Sequence, residues 1–432
     1  MKVTMSSPND QWPVDYISSL PNAIISYILS YLPTKTAVST SILSKRWQYV
    51  WPDVPALDFS EMPDYLSHED LSDEQLIHYR NFVDNVLSRN DVPDVRCFTL
   101  NSYSTQDYES AKSWVSAAQG RETSELSIKI NCSDTFYCPR EFVSRQRLVI
   151  LKLGGFTIGD MGDSFHLPNL KVLHLVSLRL NGDLFLKKLI LGCTALKELL
   201  IEGCYGFEET LYVESPILES LVIKESAVKS DDALPFITIK APNLRFLGLQ
   251  DAVANYNIDE LKLLTEANLD LWDSERYDAV DEHALELIRK LSGVTSLRFG
   301  RPDVIYCFEN DMPPFENLSR LQLTADLVTY EILECAPNLK SLIFEDIDLL
   351  GQDFYTKVAP GCMSCLESFE VFLRKKHHIK VVEHILKVAT ALKELKVNLY
   401  PMIIQHERAV YQRLLDFPRS SPICQVKVVH LY

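Results

Sequence analysis

LPNLKVLHL, from Leu167 to Leu175, places Leu170, Leu173 and Leu175 in the frame L-x-x-L-x-L. The frame returns on both sides, at Leu148-Leu151-Leu153, Leu196-Leu199-Ile201, Leu218-Leu221-Ile223 and Leu244-Leu247-Leu249. The first residues of these five copies lie 22, 26, 22 and 26 positions apart. Further copies stand at Val294-Leu297-Phe299, Leu318-Leu321-Leu323, Leu339-Leu342-Phe344, Leu366-Phe369-Val371 and Leu392-Leu395-Val397, with a weaker one near Leu269-Leu271. The lead-in recurs as well: SPILESL at Ser215, APNLRFL at Ala241 and APNLKSL at Ala336.

A period of about 20 to 29 residues carrying this core is the mark of leucine-rich repeats. Alternation along a strand turns the fourth and sixth positions inward and leaves the residues between and beside them to solvent. One copy cannot bury its apolar edge, so stacked copies share a core and a parallel sheet. The segments between strands are expected to be helical or irregular and to form the convex side. Phe98-Leu100 and Leu126-Ile128-Ile130 are expected to supply earlier, atypical strands, with a helix through Trp114, Ala117 and Ala118 between them.

Outward from the repeats, Asp15 to Ser60 reads as three short helices. Leu20, Ile24, Ile25, Ile28, Leu29 and Leu32 recur at helical spacing. Pro21 suits a first helical turn, Pro33 stops the helix, Thr34 is placed to cap a second, and Ser44 a third carrying Trp47 and Trp51. A unit this small seldom hides so much apolar surface alone, and no Cys precedes Val95, so a partner surface is expected. The alternative is a small bundle packed on its own chain. Ser72 to Gln75 then forms a capping box, opening a helix with Leu76, Tyr79, Phe82, Val83, Val86 and Leu87 on one face; Asp91-Val92-Pro93 ends it.

Leu20-Pro21, ILSYLPTK from Ile28 to Lys35, and LSKRWQYVWPDVPALDF from Leu43 to Phe59 resemble the plant F-box. The chain departs from that pattern at Tyr16, Asn22 and Ile24, where the family usually has Arg, Asp and often Glu. Near the C-terminus, CLESFEV, ATALKELKV and LLDFPRSSPICQVKV resemble the FBD domain of plant F-box/leucine-rich-repeat proteins. The helix from Glu407 to Phe417 is read with Val410, Leu414, Leu415 and Phe417 inward. The fold class is therefore α/β: a three-helix F-box over residues 13–60, a linker helix over 61–92, leucine-rich repeats over 93–360 and an FBD region over 361–432 that caps the stack.

The resemblance implies a Skp-type adaptor as partner and, through it, a cullin ubiquitin ligase. It places the adaptor contact at Leu20, Pro21, Ile24, Ile25, Ile28, Leu32, Pro33, Val38, Leu43 and Trp47. The residues beside the inward leucines have mixed signs, which suits a protein target; Phe246, Arg298 and Arg320 are the candidate anchors, since aromatics and Arg dominate interface energetics.

A net charge of −16 argues against nucleic acid. No apolar run approaches the length of a membrane span, and no secretory leader is legible at the start. Ten scattered Cys fit reduced thiols in the cytoplasm or nucleus. Cys362-x-x-Cys365 lacks a second pair for zinc. His377-His378 reads as a solvated turn, and Arg374-Lys375-Lys376 as a solvated surface run. The glycines at Gly154-Gly155, Gly159 and Gly162 form no phosphate loop, and Asp160 and Asp163 beside them would repel phosphate. His406-Glu407 lacks a second His for a metalloprotease motif. No catalytic residue, metal or cofactor is expected. The expected role is a non-catalytic substrate receptor of a ubiquitin ligase; a non-ligase scaffold and a ligand-sensing co-receptor remain alternatives.

Overall fold

The L-x-x-L-x-L copies fold as short parallel strands, and along most of them burial alternates with a period of two. The structure is a computed structural model that describes residues 16–17, 19–60, 72–90, 92–102, 108–131, 136–159, 165–207, 210–225, 227–228, 236–272, 280–300, 312–324, 329–347, 350, 352–358, 360–401 and 407–431. Residues 13–15 and 61–71, Asp91, Asp160, Gly162, Asp163 and His406, all read from the sequence above, lie outside the described residues. Two units are distinguished, Met1–Gly155 and Phe156–Tyr432.

The first unit holds α1 (Asn22–Leu29), α2 (Thr34–Ser39), β1 (Ala56–Phe59), α3 (Asp73–Arg89), β2 (Asp94–Asn101), α4 (Tyr108–Gln119), β3 (Glu122–Lys129) and β4 (Ile150–Gly154). The strands pair in parallel in the order β1-β2-β3-β4. Ser72 caps α3 by accepting from the Gln75 N–H at 3.3 Å, and Gln75 Oε1 accepts from the Ser72 N–H at 2.9 Å. Tyr79, Val83 and Val86 form the buried stripe of α3. Trp114, fully buried on α4, donates its indole N–H to Asp84 at 2.7 Å and meets the Tyr79 ring edge-on at 6.0 Å.

The second unit holds β5 (Val172–Val176), α5 (Leu184–Leu191), β6 (Glu198–Glu202), β7 (Tyr205–Phe207), β8 (Thr210–Glu214), β9 (Ser220–Lys224), β10 (Ala227–Val228), β11 (Phe236–Lys240), β12 (Phe246–Ala252), β13 (Asn255–Ile258) and β14 (Glu266–Trp272). There follow α6 (Val280–Lys290), β15 (Ser296–Phe299), β16 (Arg320–Thr324), α7 (Thr329–Glu334), β17 (Ser341–Asp346), α8 (Gln352–Lys357), β18 (Ser368–Leu373), α9 (Ile379–Val388), β19 (Glu394–Leu399), α10 (Glu407–Asp416) and β20 (Gln425–His430). The main sheet runs in parallel through β5-β6-β9-β12-β14-β15-β16-β17-β18-β19-β20. Its in-register pairs, such as Leu199 with Leu221, Leu221 with Leu247 and Leu247 with Ala267, stack the inward positions into one core. Asparagines of the recurring lead-in tie neighbouring repeats together. Asn243 donates to the Pro216 carbonyl at 2.7 Å and Asn338 to the Glu316 carbonyl at 2.8 Å, so each ties its repeat to the one before.

Several local expectations are corrected. Pro21 stands one residue before α1 rather than in its first turn. Thr34 begins α2 instead of capping it, and its Oγ1 accepts from the Asp58 N–H at 2.7 Å. No third α-helix follows Ser44; the chain makes separate 3-10 turns at Thr40–Ile42, Trp47–Tyr49 and Trp51–Asp53. Pro52, which lacks an N–H, cannot extend an α-helical ladder there. Ala56–Phe59 is a strand that pairs with Cys97–Leu100.

In the second unit, β8, β11 and β13 form a second parallel sheet where helix or irregular chain was expected. Their alternate residues Leu211 and Val213, Ile237 and Ile239, Tyr256 and Ile258 are buried, the period of a strand. Leu415 on α10 is exposed while Val410 and Leu414 are buried, because a helix one turn long in its apolar stripe cannot turn adjacent residues to one side. His378 is buried against the start of α9 and so is not a solvated turn residue. Arg374 is no freely solvated cation: it pairs with Asp346 at 2.8 Å and lies over the Tyr400 ring at 4.9 Å.

Candidate functional site

The sequence of α1, NAIISYIL, is apolar on two faces. One face, Ile25 and Leu29, is buried with Trp47, Val50, Trp51 and Val54 in the core of the small bundle. The other carries Ile24, Tyr27 and Ile28, continued by Tyr31 in the turn just past the helix, and all four are exposed. Ile24 is 46% and Ile28 47% exposed, whereas Ile25 is 0% exposed. Leu32 and Leu43 are also exposed, as is Pro21, and Leu20, Pro33 and Val38 are half-buried. Ile25 and Trp47, at 0% and 7% exposure, lie in the core of the bundle rather than on its open surface.

Arg46 fixes the approach to this face. Its Nε donates to Asn22 Oδ1 at 2.8 Å and its Nη2 donates to the Leu20 carbonyl, which holds the Leu20-Pro21 turn at the start of α1. Tyr31 donates to the Tyr27 hydroxyl at 2.6 Å, and that bond raises the Tyr31 phenol above its ordinary value. The Arg96 guanidinium lies 4.9 Å from the Tyr31 ring centroid and donates to the Ser30 carbonyl at 2.7 Å. Tyr16, Ile17, Ile42 and Tyr49 are exposed as well. Sequence reading missed Tyr27 and Tyr31, although their spacing with Ile24 and Ile28 was a usable signal. It had none for Arg46, whose partners lie 24 and 26 positions away.

The main sheet of the second unit presents a second surface. In register along its middle column stand His174, Leu200, Val222, Gly248, Asn268, Arg298 and Gln322. Phe246 is half-buried; an added Cβ on Gly248 would stand 3.4 Å from its Cε1 and 3.4 Å from both Val222 methyls. Arg298 grips Glu345 through Nε at 3.2 Å and Nη2 at 2.8 Å, and donates through Nη1 to Asn268 Oδ1 at 3.0 Å. Gln322 completes the network by donating to Glu345 at 2.6 Å. Arg320 is exposed, with no ion-pair partner among the described residues. The three candidate anchors are therefore dispersed over β12, β15 and β16 rather than gathered at one point.

Chemistry for bond making is sparse here. Burial pushes the Cys193 thiol up to about 12 and the Cys204 thiol up to about 11, far from the thiolate a nucleophile requires. Burial pushes the Cys138 thiol up as well. Among the described residues, no group of three or more His, Cys, Asp or Glu could hold a metal ion. No described helix is long and apolar enough to cross a membrane.

Residues 17–57 match the family model for the F-box domain, which implies binding to a Skp-type adaptor. Residues 111–252 match the model described as FBD-associated F-box protein At5g56370, LRR repeats. The chain is 28% identical to F-box/FBD/LRR-repeat protein At1g78750 of Arabidopsis thaliana over 96% of each chain. It is 30% identical to that plant's F-box/LRR-repeat protein At4g14096, over 83% of this chain and 80% of the relative. The same identity holds with F-box/LRR-repeat protein At3g59190, over 78% and 94%. The chain belongs to the plant F-box/LRR-repeat family, with FBD-bearing members among its relatives.

Proposed function

We propose that this protein is the substrate-recognition subunit of a Skp/cullin/F-box ubiquitin ligase and acts in the cytoplasm or nucleus. The observation that carries the proposal is the exposed apolar face of α1, Ile24, Tyr27 and Ile28, with Tyr31 just past the helix, inside the segment that matches the F-box. A solvated helix with both faces apolar is stabilised by covering the second one, and a protein partner does so. The repeats hold the target on the open face of the sheet. The chain itself makes no bond. It raises the local concentration of target lysines near a charged conjugating enzyme, a task that needs binding energy and rigidity rather than an acid, base or nucleophile.

The test is co-purification of the full chain with a Skp-type adaptor, and then with adaptor plus cullin. A 1:1 complex that assembles with cullin supports the reading. Ile24→Asp with Ile28→Asp is expected to abolish capture while the thermal melt is retained. Capture that is unchanged by this pair, or an adaptor complex that excludes cullin, overturns it.

A further inference from the structure

Three successive repeats place a strand, β8, β11 and β13, where the repeats before and after them place a helix, α5 and α6. Along β11 the inward residues are Ile237 and Ile239, so Phe236 and Thr238 point outward. In register, Thr210 and Asn255 flank Phe236, and Tyr212 and Asn257 flank Thr238. Neighbouring strands lie about 4.8 Å apart and alternate residues about 6.7 Å, so these six make two rows on a plate of roughly 10 by 7 Å. They line one cavity of about 500 Å³, to which α6 adds Glu286 and Lys290.

The lining is polar but uncharged at its centre. Thr238 is only 7% exposed, yet its hydroxyl makes no hydrogen bond among the described residues. The same holds for the side-chain polar groups of Thr210, Tyr212, Asn255 and Asn257. A nearly buried hydroxyl on a cavity floor costs free energy until a ligand or water meets it. Beside it Phe236 keeps 42% of its surface open. The charges around the cavity are matched. Lys290 lies 3.4 Å from Glu286 and donates to the Ile258 carbonyl at 3.1 Å. Lys187 of α5 lies 3.1 Å from Glu214, and Lys240 stands opposite that carboxylate in register. An anion finds no unmatched cation here, and an apolar ligand would leave five hydrogen-bonding side chains unpaired. An uncharged molecule dense in groups that both donate and accept, with a C–H surface for the ring, meets both demands.

We infer that this cavity binds a free neutral sugar of one or two pyranose rings, its hydroxyls on Thr238, Asn255 and Asn257 and its C–H face on Phe236. The site lies wholly in the second unit and owes nothing to the apolar face of α1, so it goes beyond the receptor reading and stands or falls apart from it.

Saturation-transfer NMR on the purified full chain tests this, with glucose, galactose, mannose and maltose as probes. At least one is expected to receive saturation, with a dissociation constant of about a millimolar, since an open cavity gives few contacts. Thr238→Val removes a hydroxyl that no described protein group meets. It is therefore expected to leave the melting temperature undiminished while weakening that sugar about fivefold. Phe236→Ala and Asn257→Ala, both at exposed positions, are expected to weaken it as much, again without loss of stability. A glucose phosphate is expected to bind no more tightly than glucose. No transfer to any of the four sugars overturns the inference, as does transfer undiminished in a variant carrying both Thr238→Val and Phe236→Ala. A glucose phosphate bound tenfold more tightly than glucose overturns it in favour of an anion site. Binding confined to a sugar carried on a glycopeptide overturns it in favour of a modified target.

Discussion

Arg298 and Glu345, 47 residues apart in the chain, form a two-point ion pair across the open face of the sheet, at 3.2 and 2.8 Å. Both side chains are about a third exposed, at 32% and 28%, so solvent screens the pair. Arg298→Ala is expected to cost about 0.5–1.5 kcal/mol, and a double-mutant cycle with Glu345→Ala to return a coupling near 1 kcal/mol. Arg298→Lys is expected to recover little, because one ammonium cannot span both carboxylate oxygens and Asn268. Urea denaturation of the four proteins checks both; zero coupling would show that the pair is idle.

Three positions apart on α1, Ile25 and Ile28 have opposite duties. Ile25→Ala removes buried methyls and is expected to destabilise the first unit by about 2–5 kcal/mol. Ile28→Ala, on the exposed face, is expected to change stability by less than about 0.5 kcal/mol while it weakens adaptor capture. Thermal melting and pull-down on the same two variants check the pair of outcomes; the reverse pattern would mean that the helix is rotated.

Trp114 is fully buried and its one polar atom is satisfied by Asp84. Trp114→Phe is expected to cost about 1–3 kcal/mol, from lost contact and a carboxylate left without its donor. Asp84→Ala is expected to cost about the same, since the indole N–H then stays buried and unmatched. Chemical denaturation followed by tryptophan fluorescence would register an Asp84→Ala variant as stable as the parent, against this account.

His384 packs its ring against Phe354 and Tyr355, at 5.5 and 5.6 Å, and burial lowers its pKa from the ordinary 6.5. The unfolded chain therefore holds the proton more tightly than the folded one. The stability contributed by neutral His384 is complete above 6.5 and is lost as pH falls through the lower, folded value. His384→Leu is expected to flatten the decline in unfolding free energy between neutral and mildly acidic buffer. Parallel slopes for variant and parent would remove His384 as the cause.

Much of the fold was legible because the repeats restate one local rule. Leu170, Leu173 and Leu175 alternate with polar neighbours, and the same rule recurs in each copy, so strand, face and parallel pairing follow without distant contacts. The capping box at Ser72 and Gln75 is likewise complete within four residues. The extra sheet of β8, β11 and β13 was not, since short alternating segments such as LYV and NYNI compete with irregular chain until neighbours pair with them.

The sequence by itself determined that the N-terminal unit carries more apolar surface than its size can hide, and that the repeats leave a polar-studded face. Only the tertiary structure decided which apolar residues face outward. In α1, Ile24, Ile25, Tyr27, Ile28 and Leu29 leave helical periodicity no preferred side, and packing with Trp47, Val50 and Val54 selects Ile25 and Leu29 for the core. Likewise Arg298 and Arg320 are equivalent as residue types, and Glu345 from two strands away distinguishes them. Side-chain partners separated by many residues are fixed by how strands stack, which no local pattern encodes.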